Sequence, residues 1–197
     1  MTFSDNQIYL ASRSPRRREL LRQIGVKFNL LLMRETLGRP IDIDEEPLID
    51  EAPTDYIYRI VRSKANEGRR RITQRKLPLL PVLVADTMVT LDGCILGKPR
   101  SIEHAEDILM SLSGRSHQVL TAIAISIRDD VHVRLSTSTV RFREITEREV
   151  RKYLANNNVL EKLALMLFRG WRLPLSLKYQ AAIVESWDCL CMKQRNC

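Results

Sequence analysis

Aromatic residues make up only 6% of the 197, and there are just seven glycines. There is no internal repeat, low-complexity tract or Gly/Ser linker, so the chain reads as one domain of ordinary size rather than an array or a tethered pair. No apolar run approaches the roughly 20 residues that span a bilayer as a helix. The N-terminus has Asp5 and only a short apolar stretch at Ile8–Ala11, so no secretory signal is expected and the cytoplasm is the expected compartment. Cysteine is sparse and unevenly placed. Cys94 lies in the body of the chain, whereas Cys189, Cys191 and Cys197 crowd the last nine residues, and Trp171 and Trp187 also fall late.

What is present fits a globular protein with a buried core: 44% apolar and 28% charged residues, too apolar for a disordered chain. The formal charge of +8 and a pI near 9.6 suggest an anionic partner. Nucleic acid, anionic lipid and phosphorylated small molecules all meet that description.

Strand-like and helix-like segments alternate over the first 155 residues. Ile8–Ala11 reads as a buried strand running into a polar loop. Ser14 and Pro15 open a helix whose Leu20, Leu21 and Ile24 are apolar, and Gly25 stops it. Phe28–Leu32 is a second strand, and the acidic stretch Asp42–Glu51 is a loop. Pro53 starts a helix with Tyr56, Ile57, Ile60 and Val61 on one face. The cluster Arg69, Arg70, Arg71, Arg75 and Lys76 reads as a solvated face or loop. Pro81–Ala85 is a strand covered on both faces that ends in Asp86-Thr87, and Asp92-Gly93 signals a hairpin. Ser101 caps a helix with Ala105, Ile108, Leu109 and Leu112 inward. His117–Ile127 and Val131–Phe142 are long strands, and Thr146 with Glu149 forms a capping box for a helix to about Ala155. This order specifies a mixed α/β domain.

Three groups of residues carry chemistry. In Ser12-Arg13-Ser14-Pro15-Arg16-Arg17, with Arg18 beyond, cations crowd the first turn of a helix, where each opposes the dipole by about 0.3–1 kcal/mol. A bound phosphate would reverse that sign; arginines fanned out into water are an equally good reading. Asp86 sits at the end of an apolar strand, and Asp44 and Glu45 lie in the acidic loop. Such carboxylates can hold Mg²⁺ against a polyphosphate, although taken alone a turn residue and a solvated loop explain them better. Lys98 in Gly97-Lys98-Pro99 and Lys64 on the preceding helix could reach a phosphate, but read singly they are surface lysines. His117 has no second ligand at metal-binding spacing and reads as structural.

Taken together, Leu10-Ala11-Ser12-Arg13-Ser14-Pro15-Arg16-Arg17, Asp44-Glu45, Arg62-Ser63-Lys64-Ala65, Ala85-Asp86-Thr87, Gly97-Lys98-Pro99 and Leu112-Ser113-Gly114-Arg115-Ser116-His117 strongly resemble the Maf family of nucleoside triphosphate pyrophosphatases. The resemblance runs from Gln7 to about Asn156 and assigns residues 1–157 to a Maf-like domain. It implies an α/β fold with a mixed sheet, flanking helices and two lobes around a cleft, like the inosine triphosphate pyrophosphatases. It also implies cleavage of a nucleoside triphosphate between its α and β phosphates with a divalent metal, Mg²⁺ or Mn²⁺. By motif, Asp86 is the proton acceptor and a metal ligand, and Glu45 assists at the metal. Ser12, Arg16, Arg17, Lys64 and Lys98 hold the polyphosphate, and Arg16 and Thr87 match positions tied to base choice. Arginine after Pro15, with Asp86-Thr87, resembles the branch acting on dTTP and UTP. The branch acting on 7-methyl-GTP typically has tryptophan there. The resemblance implies no membrane partner; a homodimer would be unsurprising.

The family pattern stops after about Asn156. The expected Lys-Ala-Gly-(Ala/Gly)-Tyr, Gln-Gly, Gly-Ser-Tyr and Gly-Leu-Pro are absent. Back-translating Lys162–Gly170 and reading one nucleotide earlier permits Lys-Ala-Gly-Ala-Tyr-Ala-Ile-Gln-Gly. The same shift turns Ala181–Gln194 into Gly-Ser-Tyr-Ser-Gly-Ile-Val-Gly-Leu-Pro-Val-Tyr-Glu-Thr. Two separated motifs returning in one alternative frame point to a frameshift near residues 156–160, with 158–197 an out-of-frame tail. That tail has six basic and three acidic residues, so it contributes +3 of the +8 and leaves +5 elsewhere. Cys189-Leu190-Cys191 is then no metal or redox motif. Two rivals to a pyrophosphatase stand: an inactive remnant of a Maf enzyme, and a basic nucleic-acid-binding protein. The second lacks interleaved aromatics and any recognition motif.

Overall fold

A computed structural model describes residues 7–33, 43–155 and, as backbone alone, 176–179. The elements in chain order are β1 (Gln7–Leu10), α1 (Pro15–Gln23), β2 (Lys27–Leu30), α2 (Pro53–Gln74), β3 (Val82–Leu91), β4 (Cys94–Leu96), α3 (Ile102–Leu112), β5 (Ser116–Ile127), β6 (Asp130–Phe142), α4 (Glu147–Ala155) and β7 (Ser176–Tyr179). The strands form one sheet in the order β2-β1-β3-β5-β6-β7, with β4 paired to β3. β1 is parallel to β2 and β3, while β3–β4 and β6–β7 are antiparallel. The expected mixed α/β class is what the chain adopts. No helix among the described residues is long and apolar enough to cross a membrane.

The chain divides into two compact units. One takes the described residues up to Asp86 together with Ala122–Leu135; the other takes Thr87–Thr121 and the described residues from Ser136 onward. In the first unit Leu10 and Leu31 are buried, as are Ile57, Ile60, Val61 and Ala65 of α2 and Val82 and Val84 of β3. Each large apolar side chain buried in this way contributes about 1.5–3 kcal/mol. The core of the second unit gathers Val89, Leu91, Val119, Val140 and Phe142 with Ala105, Ile108, Leu109 and Leu112 of α3 and Val150 and Leu154 of α4.

Local chemistry explains the boundaries. Asp92 and Gly93 both adopt positive φ, +49° and +81°, as a tight β3–β4 hairpin requires. The Ser101 hydroxyl accepts the His104 N–H at 3.1 Å. At α4 the capping box closes reciprocally: Thr146 N–H donates to Glu149 at 2.9 Å, and Glu149 N–H donates to Thr146 Oγ1 at 3.4 Å. Hydrogen bonds from Arg143 and Thr146 hold the Glu149 carboxyl down at about 2.

Two expectations need correction. The arginine cluster after Val61 is not a loop, because α2 continues to Gln74 and carries Arg69, Arg70 and Arg71 within it. Arg71 is buried and bonded to Glu67 at 3.0 Å, and Arg70 grips the same carboxylate at 2.6 and 2.7 Å. Asp86 does not end its strand either. Thr87–Leu91 is mostly β-branched or apolar and pairs with β4, so β3 runs on for another five residues. The parallel pairing does stop short of it: β1 pairs with Val82 and Leu83, whereas β4 pairs from Val89 onward. Asp86 therefore lies just past the carboxyl end of the parallel segment.

Gly68 sets the approach of α2 to β3. A Cβ there would lie 2.8 Å from Val82 Cγ1, with Leu31 and Met33 close behind. An alanine would gain about 1 kcal/mol of helix propensity. Against this, Val82 is fully buried and stiff at χ1, and overpacking of that kind costs about 1–3 kcal/mol. Overpacking wins. Gly68→Ala is expected to lower unfolding stability by about 1 kcal/mol in denaturant titration; equal or higher stability would show that α2 is not seated on Val82.

Candidate active site

The loop after β1 begins the site. The Ser12 hydroxyl accepts the Ser14 N–H and an Arg17 Nη1–H, each at 3.2 Å. Ser14 occupies the cap position of α1, but its side chain makes no capping bond and no acidic residue stands in the first turn. The three arginines diverge: Arg16 is exposed, while Arg17 and Arg18 are half-buried. Burial lowers the Arg17 pKa, and the charge of Asp86 opposes that effect. Arg17 is thus turned towards the carboxylate side of the unit, while Arg16 faces solvent.

Lys64 joins the loop to the sheet. Its ammonium lies 2.7 Å from Glu45 Oε1 and 3.3 Å from Asp86 Oδ2, with 14% of the side chain exposed. Burial works against the ammonium, but the charges of Asp86 and Glu45 and hydrogen bonds to both outweigh it and raise the Lys64 pKa. Lys64 is therefore a fixed cation at neutral pH, and two carboxylates from distant parts of the chain converge on it. Thr87 and Lys98 belong to the second unit. Thr87 accepts a hydrogen bond from the Thr121 hydroxyl at 3.3 Å, and Lys98 is exposed just after β4.

The acidic loop is more than a solvated segment. Glu46 N–H donates to Asp44 Oδ1 at 2.9 Å, and Tyr56 Oη donates to the Glu45 carbonyl at 2.8 Å. Arg59 forks onto Glu51 at 2.6 and 2.7 Å and holds that carboxyl down at about 2. Burial, then the charges of Asp86 and Glu45, push the Tyr56 phenol up to about 12. Sequence periodicity assigned Tyr56 to the apolar face with Ile57, Ile60 and Val61. Its phenol instead ends in the loop, and nothing in the helical period sets Arg59 apart from other exposed arginines.

His117 is buried, stacks edge-on against Phe142 at 4.9 Å, and is pushed down to about 4 by burial. It is a neutral core residue. Cys94 is an exposed free thiol.

Among the described residues no group of three or more His, Cys, Asp or Glu could hold a metal on its own. Glu45 and Asp86 nevertheless fit a divalent cation. Both are hard oxygen donors already focused on one positive charge, and Mg²⁺ commonly takes one or two carboxylates and fills its remaining positions with phosphate oxygens and water.

The geometry defines a class: a mixed α/β protein with a serine–arginine loop and a lysine that bridges two carboxylates. The model of the Maf-like protein family matches residues 7–171, and the chain belongs to that family. A relative from Nitrosomonas europaea, named a dTTP/UTP pyrophosphatase, is 54% identical over 86% of this chain and 82% of its own length. Relatives of the same name from Nitrosospira multiformis and Aromatoleum aromaticum are 49% and 48% identical, covering 86% and 79% of this chain and 82% and 76% of their own. The solved Staphylococcus aureus Ham1 protein aligns at a TM-score of 0.43 with 17% identity, over 69% of this chain and 71% of that one, below the level at which a shared fold follows.

If Lys64 occupies a place a metal can take, its removal should expose that preference. Mg²⁺ at millimolar concentration is expected to raise the melting temperature of Lys64→Met more than that of the parent chain, and to have no such effect on Lys64→Met/Asp86→Asn. Identical responses in all three would mean that the carboxylates do not converge on a cation site.

Proposed function

We propose that this chain hydrolyses dTTP and UTP to the nucleoside monophosphate and pyrophosphate. The observation that carries the reading is the Lys64 ammonium between Glu45 and Asp86, with Ser12 and Arg17 at the neighbouring turn. The relatives' name supplies the substrates. Asp86, half-exposed at the end of the parallel segment, accepts the proton of the attacking water. Ser12, Arg17 and Lys64 bind the polyphosphate, joined by Arg16 and Lys98, and the bridging oxygen leaves on pyrophosphate. Arg16 and Thr87 bear on the choice of base. Glu45 and Asp86 would hold Mg²⁺ or Mn²⁺. When bound, such a metal neutralises charge that develops on the phosphates and makes water a better nucleophile.

The rival reading as a nucleic-acid-binding protein is weakened by the second arginine cluster. Arg70 and Arg71 are engaged by Glu67, and Arg69 by Asp129 at 2.5 Å, so these cations are not arrayed for a phosphate backbone.

Pyrophosphate release from dTTP and UTP should depend on divalent metal. Asp86→Asn should reduce kcat by roughly 10²–10⁴-fold with the fold intact, as for loss of a general base. Arg16→Ala should raise KM or change base preference. Release of orthophosphate, preference for 7-methyl-GTP, or full activity in Asp86→Asn would overturn the assignment.

The tail reading stands as a second proposal and concerns 158–197, which apart from the β7 backbone lies outside the described residues. It is supported by the two motifs recovered in one alternative frame; the family match itself continues to residue 171, past the expected boundary at 157. Sequencing across codons 150–165 is expected to reveal a one-nucleotide insertion or deletion. The frame-restored enzyme should be active, and the chain as written should be poorly soluble, weak in catalysis and cleaved early within residues 156–197. A confirmed frame with a soluble, protease-resistant and fully active chain would overturn it and with it the remnant reading.

A further inference from the structure

Glu45 lies on a segment with neither helix nor strand, and that segment has almost no apolar packing to hold it. Leu48 is 60% exposed and Ile49 95% exposed. Polar contacts from the first two turns of α2 take over that role. Tyr56 Oη donates to the Glu45 carbonyl at 2.8 Å, and Arg59 Nη2 donates to the Glu46 carbonyl at 3.0 Å. Arg59 also closes its bidentate pair with Glu51, whose Oε2 accepts the Leu48 N–H at 3.0 Å. The guanidinium lies 5.4 Å from the centroid of the Tyr56 ring, so the two anchors brace each other. Two consecutive carbonyls, those of the Glu45–Glu46 and Glu46–Pro47 peptides, are thus fixed by one helix. Five residues further along that helix, Lys64 meets the Glu45 carboxylate.

We infer that Tyr56 and Arg59 are positioning residues for Glu45: they hold the acidic loop so that its carboxylate reaches the phosphate and metal side of the site, and they touch neither substrate nor metal themselves. The inference rests on the reading of Glu45 as a metal-side carboxylate. The physical basis is orientation. Two hydrogen bonds to consecutive carbonyls hold the two peptides that follow Glu45 and so restrict the direction of its side chain, and a misplacement of about 1 Å at a reacting centre can cost 10²-fold in rate. The Arg59 fork matters as well as its charge. A lysine would keep the charge but could not bridge Glu51 and a carbonyl in one plane.

The full chain and its Tyr56→Phe, Arg59→Lys and Glu45→Ala variants are compared in two assays. Hydrogen exchange followed by mass spectrometry reads the order of residues 43–52 without any turnover, and a titration with Mn²⁺ alone reads metal affinity. Tyr56→Phe and Arg59→Lys are expected to speed exchange in 43–52 several-fold while β3 and the rest of α2 stay protected, and to weaken Mn²⁺ binding by about 3–10-fold. Combining Tyr56→Phe with Glu45→Ala should weaken Mn²⁺ no further than Glu45→Ala alone, because both act through one carboxylate. Exchange unchanged in Tyr56→Phe and Arg59→Lys would overturn the anchoring. Full Mn²⁺ affinity in Glu45→Ala, whatever the loop does, would instead remove Glu45 from the metal side and take the inference with it.

Discussion

The attraction between the Lys64 ammonium and the carboxylates of Glu45 and Asp86 is the constraint around which the first unit is arranged. A lysine that is only 14% exposed loses hydration, and the loss is tolerable because two negative charges lie within hydrogen-bonding or near hydrogen-bonding distance. Those charges in turn would repel each other without it. The helix carrying Lys64 packs Ile57, Ile60, Val61 and Ala65 into the core, so the cation is delivered by the best-buried helix of the unit. The loop carrying Glu45 has no such packing and depends on hydrogen bonds. The strand carrying Asp86 is fixed by the sheet. Three kinds of stabilisation therefore meet in one ion triad.

Much of the fold could be read because hydrophobic period and local punctuation agree. Ile57, Ile60 and Val61 fall at helical spacing and are buried, and Ala105, Ile108, Leu109 and Leu112 do the same in the second unit. Ser101, Asp92-Gly93 and the Thr146–Glu149 pair act where their side-chain chemistry says they should. The misjudged features share one physical cause, the place each element takes in the packed unit. Nothing local says that β3 continues past Asp86, since the charged residue reads as a stop until β4 folds back to pair with Val89–Leu91. Nothing local distinguishes Arg71 from a solvated arginine either; its burial follows from Glu67 one turn away and from where α2 lies in the core.

The site was legible through motif more than through physics. Ser12, Arg17, Glu45, Lys64 and Asp86 each have a bland reading when taken alone, and only their joint order singles them out. The structure brings Lys64, Glu45 and Asp86 within a few ångströms, sets Ser12 against Arg17, and leaves Arg16 in solvent. Tyr56 and Arg59 escaped because each reaches the Glu45–Glu46 stretch through a backbone carbonyl, and a carbonyl has no signature in a sequence. Membership of the Maf-like family and the shared name of its relatives then give the motif its chemical meaning.

The near-contact of Gly68 with Val82 has a mechanical side. Lys64 stands one helical turn from Gly68 along α2, and Asp86 stands four residues from Val82 along β3. This close approach of helix to strand is thus the fulcrum from which both charged groups project. A methyl group inserted there would act as a shim, tilting the helix over a lever arm of about 6 Å to the lysine. The missing side chain at residue 68 thus sets the alignment of the ammonium against the carboxylate.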